Sequence, residues 1–334
     1  MKYYSMQTTA TDATLQLLDA AIPEPGPQQL LVKMRAASLN RGEFIVGHGL
    51  QKAGTAKAIG MEGAGEIVKL GSDVSSVSDV SGFTLGQRVM GRCAGAFAEY
   101  ALMDVRETMV VPAHLSWEEA ASIPLTFIVV HDMLVSQGKL KAGEWMLVTG
   151  VSSGVGVAAL QAAKALGANV IGTSGSQEKL DRLKPLGLDV GLCTREPNFC
   201  DAVLKATDGK GVNLVVNTVG GSVFAECVRA MAFEGRLATV GYVDGVLKSE
   251  IDIQALHAKR LTLFGVSNKL RNASQRASGV AGFVADLLPL ISVPNFRPVI
   301  DKIFPFAQLA EAKTYMESNR HLGKIVLAMG AQQQ

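Results

Sequence analysis

Residues 145–149 are apolar and run straight into Gly150-Val-Ser-Ser-Gly154-Val-Gly156, after which the pattern turns helical from 154 to 166. The chemistry this order serves is anion binding. Small residues let the backbone come close to a phosphate, and the unpaired N–H groups of a helix start, with the partial positive charge there, face it. The glycines are spaced G-x-x-x-G-x-G, not G-x-G-x-x-G, but strand, turn, helix and a second strand at 169–173 are all present. The candidate pyrophosphate contacts are Gly150, Ser152, Ser153, Gly154, Val155 and Gly156. Where NAD binders place a carboxylate about 20 residues further on, to bind the ribose 2′-hydroxyl, this chain reads Ser174-Gly175-Ser176. Without that acid nothing repels a 2′-phosphate, and Ser174 with Lys179 can hold one. The expected cofactor is therefore NADPH. Lys179 also has a plainer reading, as a solvated helix lysine.

The rest of the chain must position this loop. Its 334 residues suggest about two domains. With 48% apolar and 19% charged residues it can bury a large core. A net charge of +2, with no basic cluster, argues against a nucleic-acid partner. The apolar stretches 123–135 and 284–293 are too short and too interrupted to cross a bilayer. The polar start MKYYSMQTTA has no signal-peptide pattern, so the expected location is the cytoplasm. Cys93, Cys193, Cys200 and Cys227 form no C-x-x-C pair and read as ordinary thiols.

Up to about residue 122 short strands (29–37, 64–70, 87–92, 97–102) alternate with Gly and Pro turns. From 123 to 267 strands and helices alternate: strands at 145–149, 169–173, 190–193, 212–217, 237–241 and 261–265, helices at 154–166, 177–186, 199–206 and 222–232. Gly167, Gly187, Gly209 and Gly235 are expected to cap those helices. Near-continuous apolar strands between helices make one doubly wound parallel sheet. Helices at 279–287 and 306–318 and a strand at 323–329 return to the first texture, and 331–334 reads as a frayed tail.

The segments Ala37-Ser-Leu-Asn40-Arg-Gly-Glu43, Gly60-Met-Glu62-Gly-Ala-Gly65, Ile123-Pro-Leu-Thr126, Gly172-Thr-Ser-Gly-Ser-Gln-Glu-Lys179, Asn217-Thr-Val-Gly220, Gly235-Arg-Leu-Ala-Thr-Val-Gly241 and Gly323-Lys-Ile-Val326 follow one another in an order that resembles the medium-chain dehydrogenase/reductase superfamily. Within it they resemble most the zinc-free quinone oxidoreductase, zeta-crystallin-like branch. The resemblance implies an α/β chain: a GroES-like β domain (1–122 and 268–334) with a doubly wound Rossmann domain (123–267) inserted. Zinc-bearing members carry Cys near Asn40, His at Met61 and Cys near Leu125. A Met, Asn and Leu set offers no catalytic zinc site, so no metal is expected. Glu62 then reads as a carboxylate that accepts structural hydrogen bonds.

The same resemblance implies that Asn40 and Thr126 lie near the nicotinamide. Asn40 would orient a carbonyl oxygen. Thr126 is read equally as a helix cap. Asn217, Gly241, Tyr242, Phe264, Val266 and Lys324 complete the expected cofactor contacts. Tyr242 would stack on the acceptor or give it a proton, or else serve packing. Relatives carry Tyr at Thr194, Pro at Arg41 and Arg at Gly47. None of His48, His114, His131, His257 and His321 has ligand spacing. The expected activity is zinc-independent, NADPH-dependent reduction of a quinone or related electron-poor carbonyl, in a homodimer. A 2-alkenal, enone or enoyl-thioester reductase is the enzymatic alternative. An NADPH-binding redox sensor with little turnover is the alternative of another class.

Overall fold

A computed structural model describes residues 1–8, 13–44, 56–76, 82–292 and 296–330. The readings made for Gly47, His48 and the 331–334 tail lie outside these residues. The chain forms two compact units, Met1–Ile128 with Asn268–Val284 and Ile300–Gln334, and Val129–Ser267 with Ala285–Val299.

The first unit holds β1 (Lys2–Thr8), β2 (Ala13–Asp19), β3 (Gln29–Ser38), β4 (Ala56–Ala58), β5 (Glu62–Leu70), β6 (Arg88–Arg92), β7 (Tyr100–Asp104) and β8 (Thr108–Val110). The polar start is thus not a loop: β1 pairs along its whole length with β2 and also with β4. Tyr4, Ser5 and Met6 are buried in its middle, whereas Lys2 and Gln7 toward its ends are exposed. β7 starts three residues later than expected, because the 97–99 segment meets β1 in an isolated bridge at Tyr3–Ala98 and in a Lys2 N–H bond to the Glu99 carboxylate, not in a ladder. The larger sheet is completed from the other end of the chain, by β15 (Ile300–Pro305) and β16 (Lys324–Ala328), in the order β15-β16-β3-β5-β6-β8 with β7 on β3. Strand β16 runs antiparallel to β3, which places Val326 opposite Ser38. Lys324 is thereby brought to the Leu39–Asn40 corner.

The second unit is the parallel sheet: β9 (Trp145–Thr149), β10 (Asn169–Ser174), β11 (Val190–Cys193), β12 (Val212–Asn217), β13 (Met231–Thr239) and β14 (Thr262–Gly265), in the order β11-β10-β9-β12-β13-β14. The order reverses direction between β9 and β12, and such a crevice at the carboxyl ends is where doubly wound sheets bind ligands. Met146, Leu147 and Val148 of β9 are fully buried, as a strand covered on both faces requires. Gly167, Gly187 and Gly209 take left-handed φ. Gly235 does not cap a helix. The preceding helix stops at Arg229, and residue 235 is already inside β13, where Glu234 adopts the left-handed conformation (φ 56°) and donates its N–H to the Lys259 carbonyl. No helix among the described residues is long and apolar enough to cross a membrane.

Candidate active site

In the second unit, β9 delivers the chain to a turn that only small residues can make. A Cβ on Gly156 would lie 2.6 Å from the Gly150 carbonyl oxygen and 2.7 Å from Val151 backbone atoms, so the helix Gly154–Ala165 begins pressed against its own loop. Ser153 caps that helix, its Oγ accepting from the Gly156 N–H at 3.1 Å. The N–H groups of Gly154 and Val155, in the first turn, are the donors such a start leaves over for an anion. Ser152 Oγ stands 3.3 Å from Ser174 Oγ, which joins the loop to the end of β10.

Asn217 ends β12, fully buried. Its Oδ1 accepts from Thr149 Oγ1 and from the Val219 and Gly220 N–H groups, and its Nδ2 donates to the Gly220 carbonyl. Most of the amide is spent inside the protein, so Asn217 shapes the carboxyl edge, and one of its two Nδ2 protons has no partner among the described residues. Gly241 and Tyr242 follow β13; Tyr242 is 38% exposed. Phe264 is half-buried on β14 and Val266 buried just beyond it.

One residue near the Ser174 turn escaped the sequence reading. A Cβ on Gly175 would fall 2.0 Å from Arg195 Nε and 2.8 Å from its Cγ and Cδ. The Arg195 side chain therefore lies across the bare Gly175 backbone. It is exposed and makes no hydrogen bond or ion pair among the described residues. Lys179 is half-buried on the adjoining helix, its N–H on the Ser176 hydroxyl, while Glu178 faces water. The visible signal was the Gly175-to-Arg195 combination of a glycine turn and a cation after the next strand; nothing in the spacing says that they touch.

The first unit contains a buried polar cluster. Lys324, 5% exposed, shares its three protons among four acceptors within reach, Glu62 Oε1 (2.9 Å), Asn40 Oδ1 (2.8 Å), the Leu39 carbonyl (3.2 Å) and Thr126 Oγ1 (3.2 Å). Asn40 Nδ2 donates to Glu62 Oε1 and to Glu43 Oε1, both at 2.9 Å. Glu62 Oε2 accepts from the Leu125 N–H at 2.7 Å. Thr126 is a hydroxyl whose oxygen accepts from a buried ammonium, and among the described residues its own proton is donated to nothing.

The sequence of 26–113 matches the alcohol dehydrogenase GroES-like domain, and 154–281 matches the zinc-binding dehydrogenase family. A zinc-type alcohol dehydrogenase-like protein of Schizosaccharomyces pombe is 30% identical over 90% of this chain and 91% of its own length. The chain belongs to the medium-chain dehydrogenase/reductase superfamily. Among solved structures of this superfamily, mycobacterial Rv1454c complexed with NADPH superposes with a TM-score of 0.88 at 27% identity, covering 98% of this chain and 100% of that one. A quinone oxidoreductase of Pseudomonas syringae pv. Tomato gives 0.83 at 26% identity, covering 98% and 99%. These neighbours fit the zinc-free quinone oxidoreductase branch. The chain spans 12% of the length of the first highly reducing polyketide synthase that it also matches.

A member of this superfamily invites the test of whether zinc would fit. It does not. The corner that carries metal ligands in zinc-bearing members holds an amide, a thioether and a leucine, and the Lys324 ammonium already neutralises the carboxylate beside it. Cys93 is the nearby thiol, a single soft donor where a zinc site wants three or four Cys, His or carboxylate ligands, and burial, first, then Glu62 push its pKa up to about 12. Lys324, expected as a cofactor contact, is turned inward and fully engaged; it acts on Asn40, Glu62 and Thr126. Glu62 has the structural role expected of it. Arg41, by contrast, reaches the Met316 carbonyl and Asn319, away from the cluster.

Glu43 was visible in the sequence only as part of a motif. It is buried (3% exposed), and its Oε2 has no partner among the described residues. Burial, above all, and the neighbouring Glu62 charge raise its pKa to about 8, against the opposing Asn40 hydrogen bond and Lys324 charge. Its folded pKa exceeds the unfolded one, near 4.5. The stability tied to its neutral form is therefore complete below that value and is lost as pH rises through about 8. Glu43→Gln fixes the neutral shape. Urea unfolding should show wild type losing on the order of a few kcal/mol relative to this variant between pH 5 and 9. Parallel pH profiles would show that Glu43 ionises freely in the fold.

Proposed function

We propose that the chain is a zinc-independent, NADPH-dependent reductase of quinones or related electron-poor carbonyls. One observation carries this most: Thr126 offers an uncommitted hydroxyl proton backed by the buried Lys324 ammonium. Such a donor stabilises a carbonyl oxygen that gains electrons, and a preorganised one in a dry site is worth several kcal/mol. Asn40, held by both Glu43 and Glu62, keeps this hydroxyl's neighbour in place. Bound NADPH supplies the hydride. The glycine loop and the 154–156 helix start would hold its pyrophosphate, and Ser174, Lys179 and Arg195 its 2′-phosphate, where no carboxylate opposes it. Val155, Gly241, Tyr242, Phe264 and Val266 border the same carboxyl edge of the sheet and would frame the nicotinamide ribose and ring.

The Thr126 donor also favours a second reading, enone reduction, which needs a proton that quinones take from water. Chelator-treated protein given NADPH with an ortho-quinone and, separately, a simple enone decides between them. Turnover of either establishes a metal-free reductase, and the faster acceptor names its class. Tight NADPH binding with no turnover of either sinks both and leaves the redox-sensor reading.

The expected homodimer has support in β14, which among the described residues has a strand on one side and an open edge on the other, available to a second copy. Four unpaired cysteines accord with a reducing, cytoplasmic setting.

A further inference from the structure

Between β13 and the helix Ile253–Ala258 no strand or helix holds the chain from 240 to 252. This stretch carries Gly241 and Tyr242 away from the sheet, and a connection of that length keeps one shape only if something else anchors it. Packing does not supply the anchor, because Val243 and Leu247 are 54% and 72% exposed. The first tie is to the neighbouring strand. β13 runs parallel to β12 with Thr239 level with Asn217, and the Val240 N–H donates to the Asn217 carbonyl at 3.0 Å. Tyr242 then opens a tight turn, its carbonyl accepting from the Gly245 N–H at 3.0 Å, while Gly245 takes a left-handed φ of 72°.

Asp244 sits inside that turn and reaches across to the turn after β12. Its N–H donates to the Val219 carbonyl (3.1 Å), and its Oδ2 accepts from the Ser222 N–H (2.9 Å) and the Ser222 hydroxyl (2.6 Å). Its Oδ1 accepts from the Val246 N–H (2.9 Å), and the Gly221 N–H returns a bond to the Val246 carbonyl (3.0 Å). Gly220 makes room for this crossing: its φ is 133°, and a Cβ there would lie 2.7 Å from Asp244 Cγ. Burial, first, pulls the Asp244 pKa up, but the bonds from the Ser222 hydroxyl and from the Ser222 and Val246 N–H groups outweigh it and hold the carboxyl below its usual range. The group is therefore ionised at neutral pH, and its bonds are of the stronger, charge-assisted kind.

We propose that Asp244 is a positioning residue for the nicotinamide half of the cofactor: its carboxylate fastens the segment after β13 to the turn after β12, so that Gly241 and Tyr242 stand at the carboxyl edge before NADPH arrives. This rests on the reductase reading, which sets those two residues against the nicotinamide ribose and ring. Asp244 itself touches no ligand. Its effect is to meet the ordering cost of the segment in the free protein, a cost that binding would otherwise have to cover. The adenosine half of the cofactor, assigned to Ser174, Lys179 and Arg195 on the other side of β9, gains nothing from it.

The test measures dissociation constants for NADPH and for adenosine 2′,5′-bisphosphate, which carries the adenosine end of the cofactor and no nicotinamide. Asp244→Ala should weaken NADPH about tenfold, the cost of ordering a few residues on binding, and leave the bisphosphate within about twofold of wild type. Asp244→Asn keeps an acceptor oxygen and should fall between. Ser222→Ala removes one hydroxyl and no backbone bond, so it serves where an Asp244 variant fails to fold. It should weaken NADPH about threefold, and add little in the Asp244→Ala background, where its partner is already gone. Equal weakening of both ligands would make Asp244 a general support of the sheet, and an unmoved NADPH constant would mean that the segment needs no fastening. Either result overturns the positioning role, and the reductase reading stands as long as wild type binds NADPH and turns over. Wild type that does not bind NADPH overturns the reading, and the positioning role with it.

Discussion

Replacing Lys324 by methionine should destabilise the protein by about 3–5 kcal/mol, the usual cost of stripping one partner from a buried ion pair. The methionine fills the space but leaves the Glu62 carboxylate, fully buried, with no counter-charge. It also leaves Asn40 Oδ1 and the Leu39 carbonyl without their donor. The same change removes the ammonium behind Thr126, so kcat should fall by roughly 100-fold or more even where the variant is folded. Adding Glu62→Gln separates the two effects. Denaturant unfolding should recover part of the stability in the double variant, because no orphan charge remains, whereas kcat should stay low. A single variant that loses less than about 1 kcal/mol would mean that water screens this pair.

Reversing the charge at Arg195 should lower the preference for NADPH over NADH by roughly 100-fold, read as the ratio of their dissociation constants. A 2′-phosphate carries close to two negative charges, and exchanging a guanidinium for a carboxylate beside it replaces attraction by repulsion, worth about 1.5–3 kcal/mol or more. Gly175→Ala offers an independent route to the same place. Its methyl group would occupy the space now held by Arg195 Nε and Cδ, so the arginine must swing away. Gly175→Ala should therefore lose part of the preference, and adding Arg195→Ser should lower it little further. An unchanged ratio in Arg195→Glu would place the adenosine phosphate elsewhere.

Periodicity made the parallel sheet legible, because strands buried on both faces read as apolar runs and each is followed by a helix of ordinary length. The glycine loop was legible for the same reason, as a turn between two recognisable elements. The hairpin β1–β2 was not. Its second strand faces water along most of its length, so half of its pairing signal is written in polar residues. The inner cluster was legible only in part. Asn40, Glu62 and Thr126 stand in short motifs, but their meeting point is set by β16, which arrives from the far end of the chain. No local pattern reports that Lys324 ends among them, nor that Glu43 is sealed in beside them. Arg195 was missed because its meaning comes from a single missing Cβ in the turn after another strand.

The pairing of Glu62 with Lys324 also has a consequence in time. The two residues are 262 positions apart. At a synthesis rate of about 5–20 residues per second, Glu62 exists for roughly 13–50 s before its ammonium partner is made. During that interval Glu62 has no cation to bury with, so the β unit gains its inner ion pair only after β16 is made, whereas every strand of the parallel sheet, which ends at Gly265, is already available.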